Sequence, residues 1–515
     1  MGAFHDSLDL VLVETRNLSK EDLSYATLSH CWGLSEPRPA TTTCSNLSER
    51  SHNIPYAEMP LTFQDAIDIT RKLGKRYLWI DSLCIVQDSP EDWQEESSKM
   101  GDIYANSFCT LAASSSGDSH GGCRLRNQEL NLSQNASYVD IPVGSRRLRI
   151  FKSPFPIDWQ TEYLAGPLRK RAWALQEREL SSRVIYYAQN VLLWQCKTSR
   201  FCGDLPWLDL EAPRTSEKSS DLDIQGAKAN RERWFSIVQD YSERFLTVET
   251  DKLPALSGLG HKDSSLHGQY YAGIREQDLP DALMWRTRSL LWSEIKPYRP
   301  ARYRAPSWSW AAIEGCVTYE DIVGLLDADS ITSNRPDPPP FTITRVIVQT
   351  SGNDRMGQVL GGYMTVLGCL KQAVLQDYEH WRDNKFYGGG WRKISDQAGN
   401  PVGCIAPDVF PQPDFETAIF CLAVATTRNS FRDAVPVALY GNSKRKANEE
   451  KLGGKEEEVK SRESVMVNPE DIIEVIGLAL AKVDNRSNTY RRVGLVRWMR
   501  QSWFKDVAPT ELTIV

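Results

Sequence analysis

The stretch from Arg76 to Ala113, RYLWIDSLCIVQDSPEDWQEESSKMGDIYANSFCTLAA, constrains the fold more than any other. It reads as strand, loop, helix and strand, the unit from which parallel α/β sheets are built. Tyr77-Leu78-Trp79-Ile80 is a short apolar run closed by Asp81, the pattern of a strand buried on both faces. Asp81 then stands at the strand's carboxyl end, where open α/β sheets place their ligands. Ser89-Pro90-Glu91-Asp92 is a helix start, with a cap, a proline at the first helical position and acidic residues facing the dipole. Trp93, Ser97, Met100 and Tyr104 follow on one helical face. Phe108 to Ala113 supplies the next strand.

Such a unit needs neighbours. Tyr25 to Ser29 reads as a first core strand, ending in His30-Cys31-Trp32-Gly33. Between Leu61 and Leu73, the residues Phe63, Ala66, Ile67, Thr70 and Leu73 form one helical stripe, with Gly74 as the stop. Val139 to Phe151 alternates like a hairpin. Gly166 to Tyr187 reads as a short helix carrying Trp173 to Glu179, then a strand at Val184 to Tyr187. The expectation is one mainly parallel sheet over Tyr25 to Tyr187, with helices on both faces.

Beyond it, Arg231 to Leu291 is predicted mostly helical, and so is Asp281 to Trp292. After Pro340 the texture changes to short alternating strands at Phe341–Val348, Tyr363–Leu370, Ala418–Ala425, Ile472–Val483 and Tyr490–Trp498, which predicts an antiparallel β-rich module. A run of Lys, Arg and Glu from Ser443 to Arg462 is predicted to be a solvated, disordered insertion. Since 515 residues exceed one ordinary core, the reading gives three parts: an α/β domain over 1–204, a mainly helical segment over 205–335, and the β-rich module over 336–515 with its charged insertion at 443–462.

A net charge of −6 gives no general electrostatic reason to bind nucleic acid or an anionic membrane. No run approaches the roughly 18 apolar residues of a membrane span, and the N-terminus has no signal-peptide pattern. The 11 cysteines form no CxxC pair, and their odd number argues against a complete disulfide framework. A cytoplasmic setting is therefore expected. No metal site is expected either, because Cys196 and Cys202 lack a second ligand pair.

Gly117-Asp118-Ser119-His120-Gly121 matches the nucleophile-elbow pattern G-x-S-x-G, but Gly122-Cys123-Arg124-Leu125-Arg126 is a poor start for the helix that an elbow requires. A flexible Ser/Gly loop is the better reading. His30 and Cys31 are neighbours on a chain leaving a strand, so they face apart and form no dyad. They read as a loop histidine and a buried thiol. Asp81 and Glu177 are the more informative acids, each beside an apolar stretch. Either they serve a site, or they cap helices and pair with Arg169, Arg171 or Arg178.

Three blocks, YATLSHCWG (25–33), LWIDSLCIVQDSPEDWQEESSKMGDIY (78–104) and RAWALQERELS (171–181), resemble in order and spacing the signature blocks of the fungal heterokaryon incompatibility (HET) domain. DKLPALSGLG (251–260), APSWSWAAIEG (305–315) and YRRVGLVRW (490–498) resemble segments that commonly follow that domain. His30 stands where the family usually has Tyr, and Val86 where an acid is frequent. The resemblance implies fungal non-self recognition and regulated cell death. It also implies a remote kinship with TIR domains, hence a TIR-like, flavodoxin-like sheet. In that comparison Trp173-Ala174-Leu175-Gln176-Glu177 is similar to the W-C-x-x-E segment carrying the TIR catalytic glutamate. Glu177 is thereby implied as the catalytic carboxylate of an NAD glycohydrolase, with Ser29, Trp32, Gly33, Asp81 and Trp173 around the substrate. NAD is implied as substrate, with no prosthetic group. TIR-like folds also act as assembly scaffolds, so the other implied role is a non-enzymatic module that binds itself or other signalling proteins.

Overall fold

A computed structural model describes the chain apart from residues 1, 4–9, 19–22, 35, 124–136, 144–145, 153–158, 190, 203–204, 212–223, 265–267, 289–296, 320–339, 353, 376–390, 410–417, 429–472 and 485–486. The insertion predicted at 443–462 lies outside the described residues. Packing divides the chain into two compact units. One comprises Met1–Ala229, Arg244–Leu266 and Gly352–Gln358; the other comprises Asn230–Glu243, His267–Ser351 and Val359–Val515.

The first unit is built on β1 (Tyr25–Ser29), α1 (Leu61–Lys72), β2 (Tyr77–Ile80), α2 (Pro90–Asn106), β3 (Cys109–Ala112), α3 (Trp173–Leu180) and β4 (Arg183–Tyr187). β1 pairs in parallel with β2 on one side and β3 on the other, and β3 pairs in parallel with β4. The spatial order of this parallel core is therefore 2-1-3-4. In sheets of that order the crevice opens at the carboxyl ends of the first and third strands, where successive crossovers leave in opposite directions.

The sheet strands over residues 25–187 pair in parallel as expected, but the sheet as a whole is mixed, which corrects the expectation of a mainly parallel one for the whole N-terminal domain. β5 (Leu192–Cys196), β6 (Ser199–Cys202) and β7 (Leu205–Glu211) extend it beyond β4 as an antiparallel ribbon. Gly2–Ala3 and Leu10–Val11 extend it antiparallel beyond β2. Connection length decides the direction: only Lys197 and Thr198 separate β5 from β6, too little chain for a crossover.

Side-chain alternation assigns the two faces of β1. Ala26 and Leu28 enter an apolar core with Phe63, Ala66 and Ile67 of α1, Leu78 and Ile80 of β2, and Leu111 of β3. Phe63 is fully buried there, worth about 1.5–3 kcal/mol. The other face carries only hydroxyls. Tyr25 donates to the Ile103 carbonyl at 2.7 Å, Thr27 shares a 2.7 Å hydrogen bond with Thr110, and Ser29 donates to Glu177.

That hydroxyl face is covered by α2 and α3. α2 begins as its sequence predicts, with Ser89 Oγ accepting the Asp92 amide at 3.2 Å and Pro90 in the first turn. It turns Ser97, Met100 and Tyr104 inward, while Trp93 stays half-buried. α5 (Pro254–Ser264) packs on both helices, following α4 (Ile224–Ser242) in the chain. α2 and α5 cross at glycines: a Cβ on Gly258 would lie 2.8 Å from the Gly101 Cα and 2.8 Å from Gln176 Oε1. The Gly258 amide donates to that Gln176 oxygen at 2.7 Å. Alanine is the better helix former by about 1 kcal/mol, but here it overlaps backbone. Gly258→Ala is therefore expected to lower stability by a net ~1–2 kcal/mol in urea unfolding. An unchanged midpoint would contradict this account of the crossing.

In the second unit the expected helix over 281–292 is corrected. Asp281–Leu283 is a single 3-10 turn, Arg286–Thr287 is a short strand paired with Val317–Thr318, and 289–296 lie outside the described residues. Ala282, Leu283, Met284 and Trp285 are all 1% exposed or less, so four consecutive side chains are buried. A helix of this kind would present one of them to solvent. Likewise α4 ends at Ser242, α5 at Ser264, and Tyr270–Tyr271 pairs with Ile274–Arg275 as a hairpin.

The β-rich module is antiparallel, apart from one short parallel pairing. Its strands are β8 (Phe341–Thr350), β9 (Val359–Gly368), β10 (Leu370–Leu375), β11 (Arg392–Ser395), β12 (Pro401–Pro407), β13 (Ala418–Arg428), β14 (Ile473–Lys482), β15 (Thr489–Arg500) and β16 (Thr510–Ile514). The order is 8-9-16-15-12-11-10-13-14, and β14 pairs back onto β15, closing a barrel. Ile419, Cys421 and Ala423 alternate into its interior beside Ala373, Ala479 and Val496. Small residues suit so narrow a barrel, whose interior side chains must fill.

Candidate functional site

The carboxyl ends of β1 and β2 bring together residues far apart in sequence. Asp81 opens the helical turn Asp81–Cys84 directly after β2, and its Oδ1 accepts the Ser82 amide at 2.8 Å. Its Oδ2 accepts the Trp32 indole N–H at 2.9 Å and lies 4.0 Å from the Arg171 guanidinium. Arg171 also donates to the His30 carbonyl. Its backbone is fixed on both sides by Phe245, whose amide donates to the Lys170 carbonyl at 2.7 Å and whose carbonyl accepts the Ala172 amide at 3.0 Å. Gly33 adopts φ 88°, and a Cβ there would approach the Asp118 Cβ to 2.9 Å, so glycine lets the two loops close.

Glu177 lies beneath this rim, 2% exposed. Its carboxylate accepts the Ser29 hydroxyl, and the Tyr104 hydroxyl donates to the Leu28 carbonyl at 3.2 Å. Burial pushes its pKa up to about 7, opposed by the Arg171 charge and reinforced by the Asp81 carboxylate. α3 is pinned by a chain of hydroxyls: Thr27 to Thr110, Thr110 to Ser181 at 2.5 Å, and Ser181 to the Glu177 carbonyl at 2.6 Å.

His30 is buried on the opposite side of β1, edge-on to Phe63 at 5.0 Å, with Nδ1 3.8 Å from Asp81 Oδ1. Burial holds its pKa down to about 4, opposed by Asp81, so the imidazole is neutral. The two shifts act oppositely on stability. The folded state holds the Glu177 proton more tightly than the unfolded chain, so that contribution is present below about pH 4.5 and is lost as pH rises through about 7. The folded state disfavours protonated His30, so that contribution is present above about pH 6.5 and is lost as pH falls through about 4. Subtracting the pH–stability curve of Glu177→Gln from that of the wild type should leave a component that falls from about pH 4.5 to about pH 7. A flat difference would contradict the buried, proton-binding carboxylate.

The structure thus gathers Ser29, Trp32, Asp81 and Glu177 into one cluster, with Gly33 in the adjoining loop. Trp173 is engaged elsewhere: its indole nitrogen donates to Asp251 at 3.3 Å. Ser119 of the G-x-S-x-G segment is buried and donates to the Cys31 carbonyl at 3.3 Å. Sequence reasoning treated Tyr104 as packing and His30 as a loop residue. The alternation of Tyr25, Thr27 and Ser29 was the available signal for a polar face behind β1. Among the described residues, no group of His, Cys, Asp and Glu is placed to hold a metal ion, and no helix is long and apolar enough to cross a membrane.

Chemically, the cluster offers a charged rim of Asp81 and Arg171, an indole, and a carboxyl group that titrates near neutrality below them. No curated protein and no solved structure matches the chain. Residues 25–177 match the family model described as Heterokaryon incompatibility protein (HET). The similarity to the heterokaryon incompatibility (HET) family model thus runs from the first residue of β1 to Glu177 on α3.

Proposed function

We propose that this HET domain serves fungal non-self recognition and regulated cell death by hydrolysing NAD at its ribosyl–nicotinamide bond. The observation that carries the reading is the buried Glu177 carboxylate, poised near neutral pH at the carboxyl ends of parallel strands beside Asp81 and Arg171. In the reaction water adds to C1′ and gives up one proton to solvent, the C1′–N bond breaks, and nicotinamide leaves with the bonding electrons. The transition state is oxocarbenium-like, and a nearby carboxylate stabilises it or positions the ribose hydroxyls. Glu177 takes that role, with Ser29, Trp32, Gly33 and Asp81 lining the substrate. The charged form of Glu177 is required, so activity rises with pH through about 7.

One observation favours a second reading. Glu177 is covered in the state described, so turnover requires its shell to open. A closed polar centre that only rigidifies the domain suits a scaffold acting through self-association or other signalling proteins. Overexpression in fungal cells separates the two: the enzymatic reading predicts that cellular NAD falls before viability does. Loss of viability at constant NAD would overturn it in favour of the scaffold.

A further inference from the structure

β8 is the outermost strand of its sheet, and among the described residues it pairs with β9 alone. A groove of about 460 Å³ is lined by the consecutive residues Phe341 to Val346 of this strand. A groove over one face of a strand touches every second side chain, so contact with all of them places this one along the strand's outer edge. The unpaired backbone N–H and C=O groups of that edge therefore face the groove. Tyr271, Glu276, Leu279 and Pro280 form the opposite wall.

The register of β8 against β9 slips between Ile343 and Arg345, so Phe341, Ile343 and Val346 share one face and Thr342 and Arg345 the other. The first three are half-buried and the last two exposed, as that assignment requires. The edge thus offers a backbone ladder with an apolar side and a cationic side. Glu276 is already engaged, accepting the Gln269 amide at 2.9 Å and the Tyr271 hydroxyl at 3.4 Å. Arg345 lies 6.0 Å from the centre of the Tyr363 ring and has no ion pair among the described residues.

We infer that this edge binds an extended peptide of a partner protein, which adds as a strand beside β8 and sets a carboxylate opposite Arg345. Its apolar side chains alternate with polar ones, so that they meet Phe341, Ile343 and Val346. The lining stretch of β8 takes an added strand of roughly 20 Å. The far wall selects a lone strand: a second copy of this chain would bring its own β9 beside its β8 and run into Tyr271 and Pro280. Binding here does not depend on chemistry at Glu177.

The test pans a displayed library of random short peptides against the full chain, then measures the enriched sequences as synthetic peptides by fluorescence anisotropy. Enriched peptides are expected to alternate apolar with polar residues and to carry Asp or Glu. N-methylation of one of the two alternating sets of peptide amides should abolish binding, because it removes the donors of the ladder. Arg345→Glu changes an exposed side chain and should leave the unfolding curve in place. It should raise the Kd about five- to tenfold, and Lys in place of the peptide's acid should restore it. No enriched peptide, or an affinity that survives either N-methylation of both sets or Arg345→Glu, would overturn the inference. So would a dimer of the chain that Arg345→Glu disperses, which assigns the edge to a second copy.

Discussion

Asp408→Ala is expected to destabilise the second unit by about 3–5 kcal/mol, the usual cost of leaving one partner of a buried ion pair uncompensated. Asp408 and Arg492 are both fully buried, joined by two hydrogen bonds of 3.2 Å. Arg492 lies on β15, its guanidinium 3.5 Å from the centroid of the Trp285 ring, and it donates to the Leu283 and Trp285 carbonyls. Arg299 adds a second cation to Asp408 at 3.4 Å and donates to the Arg492 carbonyl at 2.7 Å. One carboxylate therefore neutralises the charge that ties the 281–287 segment to the barrel. Far-UV circular dichroism during urea unfolding follows the transition. The Asp408→Ala midpoint should fall sharply, whereas pairing it with Arg492→Met should recover part of the loss, because the orphaned charge is gone. A loss below about 1 kcal/mol in the single variant would mean that water reaches Arg492.

Local features of the fold were legible in the sequence because their causes are local. Ser89 and Pro90 start α2, Tyr77–Ile80 forms β2, and the alternation after Pro340 forms the antiparallel module. What escaped depends on chain far away in sequence. Nothing near Gly258 announces that its amide will meet Gln176, or that Asp251 will take the Trp173 indole. These two contacts grip residues one and four positions before Glu177, and both come from beyond the family-matched region. The consecutive burial of Ala282 to Trp285 likewise follows from what surrounds them. Helical periodicity there carried no information about burial from every side.

The candidate site divides the same way. Asp81 was placed by its position at a strand end. Arg171 was named only as one of three arginines offered as partners for an acid, and its selection comes from the Phe245 segment that fixes its backbone. The depth of Glu177 was not legible at all. An acid on a short amphipathic helix reads equally well as a surface residue, and burial came from α2 and α5 closing over α3.

Glu177→Gln carries the functional account. Glutamine keeps the size of the side chain and an oxygen to accept the Ser29 hydroxyl, but it removes the negative charge. It also removes the desolvation cost that raises the carboxyl pKa, so the variant should be no less stable than wild type above about pH 7. If the carboxylate stabilises positive charge developing at C1′, its loss costs about 10²–10³ in rate, or ~3–4 kcal/mol of transition-state stabilisation. Asp81→Asn is a less clean probe, because Asp81 also holds Trp32 and the Ser82 amide.

The most direct measurement is nicotinamide release from NAD by purified wild-type and Glu177→Gln proteins, side by side, after matching their unfolding curves. The account predicts release by the wild type that rises with pH through about 7, and a loss of about 10²–10³ in the variant. Equal rates in two equally folded proteins, or no release by the wild type in any assembled state, would contradict it.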